Sequence, residues 1–269
     1  THCPQGHPYD DANTYVYKNR RSCRACHKQT YNSYDRNLRT LAKHGLTKTE
    51  FLAMLERQQG QCLGCLKDIT TKACVDHNHV TGAVRGLLCA HCNSVLGMAK
   101  DEKTTLRRLM AYLDYDRSKQ YVYIIGALKN PRVTEVAALL RAEGYEVFDE
   151  WHGAGPNADD HWQEYEQNRG RTYTEALDGV AAQNTFLFDL VHLDLADYAV
   201  LVMPGGKSAH LELGYFRGRG KPAFILLDGE PDRYDVMPNF ATRVVFSPDE
   251  LLVEMGKVKA SVRGKRKEG

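Results

Sequence analysis

Apolar positions follow two different rhythms on either side of Ser118-Lys119-Gln120. Before that point they form sparse stripes. Leu38, Leu41, Phe51, Leu52 and Leu55 recur at helical spacing through 31–59, interrupted at His44-Gly45. Thr47 followed by Glu50 has the spacing of a capping box and predicts the start of a second helix there. Ala73 to Val80 and Val84 to Cys89, separated by Thr81-Gly82, predict strand, turn and strand. A helix is expected from Asn93 through Val95, Leu96 and Met98. Another is expected over about 102–117, with Leu106, Leu109, Met110 and Leu113 on one face.

After the junction the apolar runs become continuous. Tyr121 to Gly126 predicts a buried parallel strand, and Val133 to Gly144 an amphipathic helix. Further strands are expected at Glu146 to Asp149, Ala199 to Met203, Lys221 to Leu227 and Arg243 to Phe246. A polar loop at 150–160 and a helical region reaching about Asp189 lie between the second and third strands, and a helix near 209–218 follows the third. Alternation of this kind predicts a Rossmann-like, flavodoxin-like α/β domain with a mostly parallel sheet covered on both faces.

Charge follows the same division. The net formal charge of +2 conceals 19 Lys+Arg against 11 Asp+Glu in 1–120, and 11 against 22 in 121–256. A basic first half suits a polyanion, whose phosphates supply much of the binding free energy. The last thirteen residues, 257–269, hold six bases and one acid and read as a disordered basic tail. No apolar run approaches the ~20 residues of a membrane helix, and no hydrophobic signal core stands at the start; membrane partners are excluded and a cytoplasmic setting is expected.

All eight cysteines precede residue 93, and six form C-x-x-C pairs: 23/26, 62/65 and 89/92. Reduced thiols at that spacing point to metal rather than disulfides. Cys3, His7, Cys23 and Cys26 supply four ligands for a zinc knuckle in 1–30, with His27 as a spare donor. Cys62, Cys65, Cys89 and Cys92 supply four more, so two structural Zn²⁺ ions are expected. Cys74 fits neither set and reads as a small buried residue; His91 reads as a surface or phosphate contact. Lys18, Arg20, Arg21 and Arg24, interleaved with Tyr15 and Tyr17, form a candidate phosphate-tracking arm.

Between the later cysteine pairs stands Val75-Asp76-His77-Asn78-His79, and Asn93 follows the last cysteine. A plain zinc ribbon needs neither that imidazole pair nor its acid. Asp76 and Asn93 offer hard oxygens suited to Mg²⁺ or Mn²⁺. The His77 imidazole can take a proton from water attacking a phosphodiester. His79 or Arg85 can hold the scissile phosphate.

Over roughly 40–117 these motifs resemble the HNH, or ββα-metal, nucleases, and among them the phage recombination endonuclease VII group. The resemblance implies a small zinc-bound α+β nuclease domain over 31–119 that acts on DNA. It further implies a structural zinc on the four later cysteines, a catalytic cation on Asp76 and Asn93, and His77 as general base. Founding members act as intertwined dimers, so a homodimer is admitted, and a phage or its bacterial host is the implied source.

In the acidic half, Pro204-Gly205-Gly206-Lys207-Ser208-Ala209-His210-Leu211-Glu212 follows a strand and opens a helix. Amides at a helix start can cradle phosphate. A carboxylate one turn further on can attack or stabilise an anomeric carbon. The loop resembles that of the nucleoside 2-deoxyribosyltransferase-like superfamily and of LOG-type nucleotide N-glycosidases, with Ser208-Ala209 where the latter have Gly-Thr. That resemblance implies Glu212 as nucleophile or key acid and Asp149 and Asp197 as orienting groups. It also places Gly126 at the floor of the site, Gly205 and Gly206 in the cradle, and Ser208 on phosphate.

The sequence therefore predicts a metal-dependent DNA endonuclease joined, over 120–256, to a domain that binds or cleaves a nucleotide or nucleoside. Two alternatives stand beside it: a sensor–effector protein whose second domain regulates the nuclease, and a non-catalytic zinc-finger adaptor.

Overall fold

The computed structural model describes residues 2–17, 20–26, 41–116 and 118–265. Lys18, the spare donor His27, and the helical stretch expected from residue 31 through Leu38 lie outside the described residues. The chain divides into two compact units, Thr1–Glu102 and Lys103–Gly269.

The first unit opens with an antiparallel pair of β1 (Thr14–Tyr17) and β2 (Arg20–Cys23), in the segment that the sequence marks as a candidate phosphate-tracking arm and for which it predicts no strand. Alternating Tyr and Val with a β-branched Thr make it a strand former. Helix α1 (Lys48–Arg57) starts on the expected capping box: Thr47 accepts the Glu50 amide and Glu50 reaches back to the Thr47 amide. β3 (Cys74–His77) and β4 (Val84–Leu88) pair antiparallel. The loop between them is closed by Asn78, whose Oδ1 accepts the amides of Val80 and Thr81 at 2.8 and 2.9 Å.

Helix α2 (Ala90–Met98) begins three residues ahead of the expected Asn93. The reason is chemical. Cys89 takes the N-cap position, and its sulfur accepts the Cys92 amide, a role usually filled by Ser, Thr, Asp or Asn. Among the described residues the buried core of this unit is small: Leu41, Cys62, Ile69, Val75, Leu87 and Leu88, with Phe51, Met54 and Leu55 packed against it.

The second unit starts with α3 (Lys103–Asp114). Its expected apolar face is not its packed face, because Leu109, Met110 and Leu113 are all exposed and Ala111 is buried. Polar anchors set the orientation instead: Arg107 donates to Asn184, and Arg108 pairs with Asp194. Behind it lies a five-stranded, wholly parallel sheet of β5 (Tyr121–Ile125), β6 (Glu146–Phe148), β7 (Tyr198–Val202), β8 (Ala223–Leu226) and β9 (Arg243–Val245). The strand order is β6-β5-β7-β8-β9, the flavodoxin-like doubly wound order. β5, β7 and β8 are buried at every position, so both faces must be covered.

One face packs on α4 (Arg132–Ala142) and α9 (Pro248–Lys265) through Val133, Ala137, Leu140, Leu251 and Met255. The other packs on α7 (Val180–Leu195) and α8 (Lys207–Gly218) through Leu193, Ala209, Leu213 and Phe216. A 3-10 turn (Glu150–Ala154), α5 (Ala158–Asn168) and α6 (Tyr173–Leu177) precede α7, in place of a wholly polar loop at 150–160. The tail expected to be disordered from 257 instead continues α9 as far as Lys265. That helix is capped at its start, where Ser247 Oγ accepts the Glu250 amide and the Glu250 carboxylate accepts the Phe246 amide, and it is held by the fully buried Leu251 and Met255.

Candidate functional site

Two knots of metal-binding side chains organise the first unit. The ligand atoms of Cys62, Cys65, Cys89 and Cys92 all lie within 4.8 Å of one another, as do those of Cys3, His7, Cys23 and Cys26. The separation of 3.7 Å from Cys65 to Cys89 approaches the edge of about 3.8 Å that Zn–S bonds of about 2.3 Å give a tetrahedron, and the 3.2 Å from His7 Nδ1 to Cys26 is shorter, as a nitrogen–sulfur edge is. Both knots could hold zinc. The backbone is shaped around the later one: a Cβ at Gly64 would come within 3.0 Å of the Cys92 sulfur. Burial pushes the Cys62 thiol up, but the amides of Cys89, Cys65 and Gly64 bring it down to about 6, which favours a thiolate ligand. Cys74 sits just outside, half-buried, its thiol raised by burial.

The clamp holds the hairpin whose far end carries the expected chemistry. A β-bulge falls there: Asp76 faces Gly86 and His77 faces Val84, which leaves Arg85 as the extra residue on β4. Freed from the ladder, Arg85 turns onto the nearly buried Asp76, with Nε donating to Oδ2 at 2.7 Å and Nη2 to Oδ1 at 2.8 Å. The same Nη2 donates to Asp101 Oδ1 at 2.9 Å, and the other Asp101 oxygen meets His79 Nδ1 at 2.7 Å. The hydrogen bonds from Arg85 and His79 hold the Asp101 carboxyl at about 2. His77 stands between two imidazoles, with ring centroids 4.5 Å from His44 and 4.8 Å from His79. Burial, then the neighbouring His77 and Lys43, push His44 below its ordinary value.

Asp76, His77, His79 and Arg85 are thus drawn together. Asn93 lies on α2, half-buried, and among the described residues no hydrogen bond joins it to Asp76. A cavity of about 380 Å³ opens beside Asp76 and Arg85, walled by Leu63, Leu88 and Val95.

In the second unit Glu212 projects from α8 toward β5, where the Tyr123 hydroxyl bonds to its carboxyl. Burial and the adjacent Asp189 raise Glu212 to about 7. Asp189, on α7, is itself raised by burial to about 6, and its Oδ1 is buried with no hydrogen-bond partner among the described residues. Phe148 and His192 stack 3.9 Å apart beside this pair, and His192 is lowered by burial to about 4.

The other expected members of this site are scattered. Asp149 follows β6 and is taken by Arg141. Asp197 lies just ahead of the central strand β7, at the strands' amino-terminal ends, accepting the Tyr121 amide at 2.9 Å and the Tyr115 hydroxyl at 3.3 Å. Gly126 and Gly205 are packing glycines, since a Cβ would meet Val133 at 2.6 Å and Leu201 at 2.9 Å respectively. Gly206 is the N-cap of α8 with open space around it, and Ser208 is exposed in the helix's first turn. The loops at the strands' carboxyl ends are stitched by two residues that the sequence did not mark: buried Asn130 donates to Val202 and Pro204 carbonyls, and Arg132 to those of Met203 and Leu227.

Residues 35–115 match the recombination endonuclease VII family. Gene 59 protein of Mycobacterium phage D29 is 41% identical over 91 residues, covering 33% of this chain and 53% of that protein. Gene 59 protein of Mycobacterium phage L5 is 42% identical over 78 residues, covering 28% and 48%. The chain thus spans about half the length of these curated relatives. A solved 2-deoxyribosyltransferase from Bacillus psychrosaccharolyticus resembles 49% of this chain over 89% of its own, at 16% identity and a TM-score of 0.34.

The matched segment contains the four later cysteines, the hairpin and Asp101, and it ends one residue past α3, which belongs to the second compact unit. Asp101 and His44 were not singled out in the sequence. Asp101 lies 25 positions beyond Asp76, and only the Arg85 bulge and the turn after α2 bring it in.

Proposed function

We propose that this chain is a metal-dependent DNA endonuclease that hydrolyses phosphodiester bonds. The observation that carries the proposal is the convergence of Asp76, His77, His79 and Arg85 at one end of a thiol-clamped hairpin, inside the segment that matches the recombination endonuclease VII family. His77 takes a proton from the attacking water, its ring held in place between those of His44 and His79. Arg85 and His79 grip the phosphate, one through a planar fork and the other through an imidazole that is half exposed. The oxygens of Asp76 and Asn93 suit Mg²⁺ or Mn²⁺, which would neutralise charge on the phosphate. The basic balance of the first 120 residues supports the polyanionic partner.

Nicking of supercoiled plasmid in Mg²⁺ is the direct test. His77→Ala should lower the rate by about 10²–10⁴-fold, the usual contribution of a positioned base, with zinc content unchanged. Undiminished cutting by that variant removes His77 from the chemistry. Absence of cutting by the wild type under any divalent cation favours the adaptor.

A second site is favoured by one specific observation, the pair of raised carboxyls at Glu212 and Asp189. Two such groups held against a tyrosine suit the cleavage of an N-glycosidic bond. The protonated Glu212, the more strongly raised of the two, gives its proton to the departing base as the C–N bond breaks, and the Asp189 carboxylate forms a bond to the anomeric carbon. Incubation with nucleosides and nucleotides separates the outcomes: free base marks catalysis, and stimulated nicking without free base marks a sensor.

A further inference from the structure

We propose that Asp101 is a positioning residue of the nuclease site, fixing the ring orientation and tautomer of His79 so that its outer nitrogen faces the scissile phosphate of DNA. The proposal rests on the endonuclease reading above and adds to it a residue outside the Asp76–His79 motif.

Three observations support it. First, Asp101 Oδ2 lies 2.7 Å from His79 Nδ1, a contact that a proton on that nitrogen completes and that leaves Nε2 outside it, on an imidazole more than half exposed. Second, Asp101 is itself immobilised. Its Oδ1 accepts from Arg85 at 2.9 Å, and the same guanidinium grips Asp76 through two further hydrogen bonds. Third, its backbone is committed to the task. Lys100 and Asp101 both adopt left-handed conformations, with φ of 53° and 58°. The Asp101 amide closes back on the Leu96 carbonyl at 3.0 Å, so the chain turns sharply at the end of α2 and brings the carboxylate to the hairpin.

The fold has little need of this carboxylate. The hairpin and α2 are already joined through Cys89 and Cys92, and His79 is 54% exposed. Exposed ion pairs contribute little to stability. The value of the contact is geometric. Arg85 is also shared between two acids, so if an incoming cation takes up the Asp76 oxygens, Asp101 still retains both the guanidinium and the imidazole beside the phosphate.

Asp101→Asn is the variant of choice, because asparagine tolerates the left-handed conformation at least as well as aspartate and matches its size. ¹⁵N NMR of the full-length protein should show the His79 ring protonated at Nδ1 in the wild type, and mixed or at Nε2 in Asp101→Asn. Identical tautomers in the two proteins overturn the proposal, whether or not the wild type cuts DNA. Plasmid nicking should fall about 10–100-fold in Asp101→Asn, the loss expected for an orienting partner. In a His79→Ala background the same change should cost less than about 3-fold, as expected of residues that act as a unit. An equal loss in both backgrounds shows that Asp101 acts elsewhere and overturns the proposal. A wild type that nicks nothing refutes the endonuclease reading instead, and leaves the tautomer measurement to decide on Asp101.

Discussion

The two compact units solve the problem of holding a site in place by opposite means. In Thr1–Glu102 the buried apolar cluster is small, and two four-ligand knots do the joining. Cys89 is both a member of a knot and the N-cap of α2, two residues after the fully buried Leu87. In Lys103–Gly269 an all-parallel sheet buries whole strands against helices on each face, and no four-ligand knot occurs among the described residues. A site built on ligands keeps its parts close in sequence and loses them together. A site built on the face of a sheet draws on strands and helices far apart in the chain, and it survives as long as the core does.

Metal removal should break that comparison most sharply. Structural zinc contributes about 10–16 kcal/mol in small zinc domains, more than a core of this size can replace. Chelation should therefore unfold the first unit and leave the second intact. Hydrogen exchange reads this directly: amides of β3, β4 and α2 should lose protection, while those of β5, β7 and β8 keep theirs. Persistent protection in β3 and β4 would mean that the apolar cluster suffices.

The converse experiment truncates the sheet core. Phe224 is fully buried between flanking parallel strands, and its replacement by Ala should cost about 3–5 kcal/mol in the second unit. Zinc content and the first unit's exchange pattern should not change. Equal loss in both units would show that they unfold as one.

This difference also explains what could be read from the chain. The first unit's ligands are legible because C-x-x-C spacing and the Asp-His-x-His run are local, and the capping box at Thr47 and Glu50 is local too. Asp101 was not legible, since its place depends on a bulge at Arg85 and a left-handed turn after α2. In the second unit, continuous apolar runs gave the parallel sheet and its order of elements. The Glu212 loop was visible as a motif, but Tyr123 and Asp189 were not, because each sits in an apolar stretch where periodicity reads them as core. Asp197 was legible as a polar residue beside a strand, but its bond to the Tyr121 amide at the strands' amino-terminal ends was not.

The site around Glu212 makes a prediction about pH that the first unit does not share. Glu212 is raised from an ordinary 4.5 to about 7 by burial and by Asp189. Folding therefore favours its protonated form, and the stability this contributes is complete below the ordinary value and lost as pH rises through the folded one. Glu212→Gln keeps an acceptor for Tyr123 and cannot ionise. Its stability relative to wild type should match below pH 4.5, rise between 4.5 and 7, and level off above that at a gain of about 3 kcal/mol at most. Exchange of β5 and β7 amides across that range measures it. A flat difference would place the Glu212 carboxyl in water.

The smallest effect tests whether the metal-organised unit has any stability of its own. Thr47→Ala removes the side-chain oxygen that caps α1 and should cost about 1 kcal/mol. Helix α1 is not isolated from the clamp: Gln58, its C-cap, exchanges hydrogen bonds with Leu87 through both ends of its amide, donating to the carbonyl at 2.9 Å and accepting the amide at 2.8 Å. Leu87 in turn packs in the cluster that contains Cys62. Fraying at Thr47 should therefore reach the knot, and competition with a chromogenic chelator should show about 5-fold weaker zinc retention, the equivalent of that 1 kcal/mol. Unchanged retention together with a lost cap would mean that the knot folds independently of α1, so that the ligands alone, and not the small core around them, organise the hairpin that carries His77.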